Sequence, residues 1–191
     1  MIAKIKIDDI PQVVKIHRQE LPGFLSELGE DFLKKFYDAS LDIPEIFTLV
    51  EKENEQVLGF VTGATRVKGL YKEIIFRDVF SFIWLILNNL ITHPKNIVKM
   101  AKILAYPGFA EDIPEILTIV VSKSHQGKGI GKKLWTEAVK EFQKRGFKKF
   151  RVSIYDRLPA NEFYKKMGCR FEKSFQFLGE KMNYYLYIIR D

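Results

Sequence analysis

Gln126-Gly127-Lys128-Gly129-Ile130-Gly131-Lys132 is the stretch on which the reading of this chain turns. It follows an unbroken apolar run, Ile116 to Val121, and opens a helix-patterned segment that starts near Gly131. A buried strand that feeds a glycine-rich turn and then a helix gathers free backbone N–H groups and the positive end of a helix dipole at one point, which makes an anion site. Spacing decides which kind. A P-loop needs four residues between its glycines and a hydroxyl after its lysine, whereas three residues separate Gly127 from Gly131 and Lys133 stands at the hydroxyl position. A dinucleotide fingerprint needs G-x-G-x-x-G and an acidic residue roughly twenty positions on, at the end of the next strand. Here the glycines run G-x-G-x-G and the next strand reads Phe150-Arg151-Val152-Ser153-Ile154.

A third pattern, Gln/Arg-x-x-Gly-x-Gly/Ala after a strand, is met by Gln126, Gly129 and Gly131. A second block follows, Asn161-Glu162-Phe163-Tyr164-Lys165-Lys166-Met167-Gly168-Cys169-Arg170-Phe171. The first resembles motif A, and the second motif B, of the Gcn5-related N-acetyltransferase (GNAT) superfamily, whose members bind the pyrophosphate of acetyl-coenzyme A on the motif A turn. The chain departs from the usual form in one place, with two residues between Gly168 and Phe171 where the family often has Gly-Phe adjacent. Between the blocks, residues 131 to 161 hold one amphipathic helix, one strand and a turn, as the family's arrangement requires. The resemblance is clearest from Ile116 to the C-terminus.

The resemblance implies a single α/β acetyltransferase domain over residues 1–191, with a mixed, mostly antiparallel sheet of about seven strands, splayed at its centre and flanked by helices. It implies acetyl transfer from acetyl-CoA to a primary amine by direct attack, without a covalent enzyme intermediate. Carried over by position, Ile119, Val120 and Val121 offer backbone groups to the pantetheine arm, and Gln126, Gly127, Lys128, Gly129, Ile130, Gly131 and Lys132 hold the pyrophosphate. Asn161 corresponds to the asparagine that contacts the pantetheine, a role compatible with that of an ordinary helix-start residue. Tyr164 corresponds to the tyrosine that serves as general acid toward the departing thiolate; a phenol suits that task because it stays protonated at neutral pH. Glu115 opens the strand before motif A, where several relatives carry the general base, with Glu111 and Asp112 as neighbouring candidates; some relatives use no dedicated base. A non-catalytic module of the same fold that binds or senses CoA stays open as the alternative.

Composition narrows the field further. With 191 residues and 47% hydrophobic content the chain suits one domain with a full core, so no second domain is needed. One cysteine excludes an internal disulfide, and the N-terminus alternates as Met1-Ile2-Ala3-Lys4-Ile5-Lys6-Ile7 rather than as a signal peptide, so a cytoplasmic protein is the expectation. The net charge of +7 raises the question of nucleic acid. From Lys123 to Arg151, however, ten Lys/Arg stand against Glu137 and Glu141, a local balance of +8. The basic excess therefore surrounds the anion turn, where it assists capture of a phosphate ligand and makes a nucleic-acid partner unnecessary. Cys169 has no histidine beside it in sequence, which argues against a nucleophilic thiol, and His17, His93 and His125 lack metal-ligand spacing, so no metal is expected.

The remainder of the chain supplies walls for such a site. Ile2 to Ile7 alternates as a strand, Asp8 or Asp9 caps a helix through Glu20, and Leu21-Pro22-Gly23 breaks it. A second helix runs from Glu30 to Leu41 with Phe32, Leu33, Phe36 and Tyr37 at core spacing. In the family these helices flank the acceptor, so the loop from Leu21 to Gly29 is a candidate specificity element. Strands over Phe47–Val50 and Val57–Thr65 form a hairpin, and residues 66–112 then form an insertion between the third and fourth strands, where the family normally continues directly. Asp78 to Ile91 reads as an apolar helix too short to span a bilayer, and Lys95 to Leu104 as an amphipathic partner whose Lys95, Lys99 and Lys102 share a face. Three uses compete for this helical hairpin: packing on the domain's own sheet with or without a pocket wall, a peripheral membrane contact, and a homodimer contact. A closing hairpin, Phe171–Leu178 and Met182–Ile189, ends the chain. The acceptor is not legible: a small amine, with an amino sugar of surface polysaccharide assembly among the candidates.

Overall fold

A computed structural model describes residues 1–94, 98 and 113–190. Seven strands, β1 (Ile2–Lys4), β2 (Ile46–Glu53), β3 (Gln56–Ala64), β4 (Glu115–Val121), β5 (Lys149–Tyr155), β6 (Arg170–Phe177) and β7 (Glu180–Ile188), form one sheet in the order β1-β2-β3-β4-β5-β7-β6. Every neighbouring pair is antiparallel except β4 with β5, which is parallel. The described helices are α1 (Ile10–Glu20), α2 (Phe24–Glu27), α3 (Glu30–Ser40), α4 (Leu70–Arg77), α5 (Val79–Thr92), α6 (Ile130–Lys144) and α7 (Ala160–Lys166). The expected seven-strand sheet flanked by helices is the one observed.

Both hairpins turn as tightly as the chain allows. Glu53 pairs with Gln56, and the two residues between them, Asn54 and Glu55, hold φ of 46° and 63°. Phe177 pairs with Glu180 around Leu178 and Gly179, at 53° and 85°. Positive φ at both central residues gives a turn whose twist matches that of the strands it joins, so each register is fixed by its loop.

The sheet carries a core on each face. On one side α1, α3 and the insertion helices bury Val13, Val14, Leu33, Tyr37 and Leu70 against Val50 and Phe60. On the other, α6 buries Leu134, Trp135, Ala138 and Phe142 against Phe47, Ile116 and Phe150. Helical spacing puts Leu134, Ala138, Val139 and Phe142 inward; Trp135 lies outside that set, yet it packs within 5.2 Å, ring centre to ring centre, of both Phe150 and Tyr187.

The insertion begins differently from its sequence reading. Gly69, in the left-handed region at φ 77°, starts α4, a helix not foreseen; α5 follows after a bend of 105°. Asp78 caps α5 by accepting from the Ser81 amide at 3.2 Å. Leu70, Ile74 and Phe82 are buried, Phe82 edge-on to Phe32 at 5.3 Å, whereas Phe80, Trp84, Leu87 and Ile91 stay exposed. The packing of α4 and of one face of α5 on the domain is thus observed. The expected lysine-bearing helix over residues 95–104 lies outside the described residues. Among the described residues no single helix is long and apolar enough to cross a membrane.

The two tryptophans separate core from surface experimentally. Trp135→Ala is expected to lower unfolding stability in urea by about 3–5 kcal/mol through cavity formation, while Trp84→Ala shifts it by no more than about 0.5 kcal/mol.

Candidate functional site

The site begins where the sheet opens. The ladder between β4 and β5 consists of Glu115 opposite Arg151 and Ile116 opposite Val152, and goes no further. Beyond Ile116, β4 stays with β3 while β5 stays with β7, so the two parallel strands diverge and leave a wedge between them. A bulge sharpens the divergence: Gly63 faces Ile116 and Thr62 faces Thr118, leaving Leu117 as the extra residue. Such a bulge bends its strand and re-aims its side chains.

At the top of the wedge lies a buried ion pair. Arg151, 1% exposed, donates from Nε to Glu115 Oε2 at 2.8 Å, and its guanidinium lies over the Tyr184 ring at 5.8 Å. At the other end β4 runs into the glycine turn. Gln126 Nε2 donates to the Val121 carbonyl at 2.9 Å and braces the strand end. Gly127 and Gly129 adopt φ of 77° and 80°, a conformation that is strained for any residue with a Cβ. Gly129 is also the N-cap of α6, so the unpaired N–H groups of the first helical turn face the same place.

Between these ends lies a cavity of about 830 Å³. Its walls include Glu115, Leu117 to Val121, the turn residues Gln126, Gly127 and Gly129 to Lys132, Ser153 to Tyr155, and Phe163 and Tyr164 of α7. Of the residues read from sequence, the structure therefore brings Glu115, Ile119, Val120, Val121, Gln126, Gly127, Gly129, Ile130, Gly131, Lys132 and Tyr164 to one space. Two stand apart from it. Lys128 belongs to the turn but is exposed and does not line the cavity. Asn161 is turned inward: its Nδ2 donates to the carbonyls of Tyr155, Asp156 and Leu158 at 2.9, 3.1 and 2.7 Å, and its Oδ1 accepts from Asn183 Nδ2 and the Tyr185 hydroxyl, both at 3.0 Å. As placed, Asn161 staples the start of α7 and does not line the cavity. Glu111 and Asp112 lie outside the described residues.

The titratable groups of the cavity are shaped by burial. It raises the Tyr164 phenol above its ordinary range, so the hydroxyl remains protonated throughout neutral pH. It also pushes the Cys169 thiol up to about 12, which leaves that sulfur inert, as expected for a buried packing residue. His17, on α1, is lowered to about 4 by burial and is neutral; its Nδ1 shares a 2.7 Å hydrogen bond with the Tyr37 hydroxyl. Among the described residues no cluster of side chains is suited to hold a metal ion.

Several cavity residues had no sequence signal as site residues. Helical spacing puts His17 on one face with Ile10, Val13 and Val14 and gives it no site role, Ser153 is a strand position, and Val67 and Tyr71 fall in an insertion of open purpose. All four line the cavity. A periodic pattern assigns a face to such residues; only the folding of α1 and α4 onto the open side of the wedge assigns them a site.

A family model described as acetyltransferase (GNAT) family matches residues 10–169. Solved structures share the fold. Ard1 from Thermoplasma volcanium superposes with a TM-score of 0.65 at 14% identity, covering 100% of this chain and 98% of its own. An N-acetyltransferase from Staphylococcus aureus does so with a TM-score of 0.64 at 16% identity, with the same coverage of 100% and 98%. An aminoglycoside 6'-N-acetyltransferase complexed with coenzyme A gives 0.62 at 13%, again covering 100% and 98%. No curated protein matches the chain by sequence. Identities this low carry the fold and leave the substrate open.

The neutral His17 sets a pH dependence on stability. The unfolded imidazole titrates near 6.5 and the folded one near 4, so its contribution is complete above pH 6.5 and is lost as pH falls toward 4, by about 3 kcal/mol in all. Urea unfolding of the wild type is expected to weaken between pH 7 and 5 more steeply than that of His17→Asn. Parallel pH dependences would refute the assignment.

Proposed function

Since the chain belongs to the acetyltransferase (GNAT) family, whose model spans residues 10–169, we propose that it is an acetyl-CoA-dependent N-acetyltransferase acting on a primary amine by direct attack. The observation that carries this reading is the convergence on one cavity of the positive-φ glycine turn, the β4 edge left unpaired by β5, and the hydroxyl-bearing Tyr164.

The residues present fit the coenzyme. At Gly127 and Gly129 nothing lies within 4 Å of where a Cβ would stand, so the turn is open for close approach of a pyrophosphate to backbone N–H groups. Residues Ile119 to Val121 lie past the end of the β5 ladder, so backbone groups on that edge, apart from the Val121 carbonyl held by Gln126, are available to an extended pantetheine amide chain, as a partner strand would use them. Bound there, acetyl-CoA supplies an activated acetyl thioester. Lys132, at the start of α6, adds positive charge beside the turn.

Within this frame each side chain has a task. Glu115, held by Arg151 at the head of the wedge, accepts the proton of the acceptor amine directly or through water. The Tyr164 hydroxyl donates to the departing thiolate, a role for which a phenol kept protonated by burial is suited. Asn161 acts one step back, by fixing the start of the helix that carries Tyr164.

Two variants test the assignment. Tyr164→Phe is expected to lower kcat by about 100-fold while leaving the dissociation constant of coenzyme A within about twofold. Gly129→Val is expected to weaken coenzyme A binding by about tenfold or more in calorimetric titration, because β-branching opposes φ near 80°. Tight coenzyme A binding without thiol release for any amine would identify a sensing module in place of an enzyme.

A further inference from the structure

Resting on the acetyltransferase reading, we infer that the acceptor is a single primary amine carried on an apolar or aromatic body, seated with its nitrogen at a small polar patch formed by His17, Glu115, Thr118 and Ser153. The inference comes from the half of the cavity that the coenzyme site leaves over.

That half is closed from three directions. The Leu21 to Leu25 segment comes in from α1 and α2, Val67 and Tyr71 from the insertion, and Phe175, Phe177 and Met182 from the last hairpin. The closure is physical contact: Leu178, at the hairpin tip, packs against the core of α1, α3 and α4, and the Tyr155 hydroxyl lies 3.6 Å from the position of a Cβ on Gly23. The walls so made are aliphatic and aromatic. An acceptor that fills them gains from apolar burial, and one covered with hydroxyls or ammonium groups is desolvated without partners.

Besides the hydroxyls of Tyr71 and Tyr155, few polar side chains border this half: His17 from α1, Glu115 and Thr118 from β4, and Ser153 from β5. Two carboxylates line the cavity among the described residues, and both are engaged: Glu115 with Arg151 at 2.8 Å, and Glu20, whose Oε1 accepts from the Lys123 amide at 3.0 Å. A polycation would need acidic groups in excess, and Lys132 and the buried Arg151 offset those present. Among the described residues Ser153 Oγ is buried without a hydrogen-bond partner, an uncompensated polar atom of the kind a ligand satisfies. Neutral His17 has Nδ1 on Tyr37, and among the described residues its Nε2 has no hydrogen-bond partner. A few polar groups inside a largely apolar envelope fit one amine better than several.

This class differs from amino sugars, which were among the candidates from sequence, and from polyamines and aminoglycosides. Thiol release from acetyl-CoA should be followed with phenethylamine, hexylamine and phenylalaninamide against glucosamine, spermidine and kanamycin. At least a tenfold higher kcat/KM for the apolar monoamines is expected; equal or better turnover of spermidine, kanamycin or glucosamine overturns the inference and leaves the transferase reading intact. Phe175→Glu, on a half-buried wall position, should shift the ratio of phenethylamine to spermidine by about tenfold toward spermidine, with unchanged coenzyme A affinity reporting an intact fold. An unchanged ratio in that variant counts against the wall assignment. Should no amine be turned over, titration of phenethylamine and spermidine into the coenzyme A complex separates the two ideas. Preferential phenethylamine binding upholds the acceptor class while the transferase reading fails, and equal or reversed binding overturns both.

Discussion

The organisation of this protein depends on how little joins β4 to β5. Two register pairs hold the two halves of the sheet together, and one of them is the buried Glu115–Arg151 ion pair. Removing either partner leaves an uncompensated charge in the interior, a change that costs several kcal/mol in comparable cases. The same contact therefore closes the sheet at one end and opens it at the other. Every surface of the cavity is measured from that point: the β4 edge, the bulge at Leu117, and the β5 residues Ser153 and Tyr155 that face across the gap.

From the wedge the molecule divides into a half built from one continuous stretch of chain and a half assembled from several. The turn at Gly127 and Gly129 leads into α6, which packs with α7 around Trp135, Phe150 and Tyr164, and the proposed coenzyme site rests on this block. The opposite wall is assembled from remote pieces: the end of α1, α4 of the insertion, and the β6–β7 hairpin. In the proposed reading the coenzyme is held by backbone geometry, whereas the choice of acceptor rests on side chains brought from three separate stretches of chain. The exposed apolar stripe Phe80, Trp84, Leu87 and Ile91 lies on the far side of the helix that packs Phe82 inward, and has no part in that wall.

Much of this was legible before any coordinates. The Gln126 to Lys132 turn could be read because backbone conformation, and not distant contact, dictates its glycines, and the two positive φ values bear this out. Periodicity gave the strands and most helices because alternation and helical spacing reflect one-sided burial. Misreadings arose where burial is not one-sided. Trp135 escaped the pattern of α6 because it packs on Phe150 and Tyr187 at the flank of the helix, and α4 escaped because Leu70–Arg77 is two turns long, too short for a clear period. Asn161, expected both at a motif ligand position and at a helix start, makes five internal hydrogen bonds that fix the start of α7.

The sequence by itself determined the family, the sheet with its helices, and the anion turn, because each of these is written in local spacing or in residue types that only one backbone conformation tolerates. Tertiary structure alone decided the length of the β4–β5 ladder, the pairing of Glu115 with Arg151, the neutral state of His17 and the apolar lining on the far side of the cavity from the glycine turn. Those properties belong to contacts between residues far apart in the chain, as with Glu115 and Arg151 or His17 and Tyr37, and no local pattern records which distant face a side chain meets.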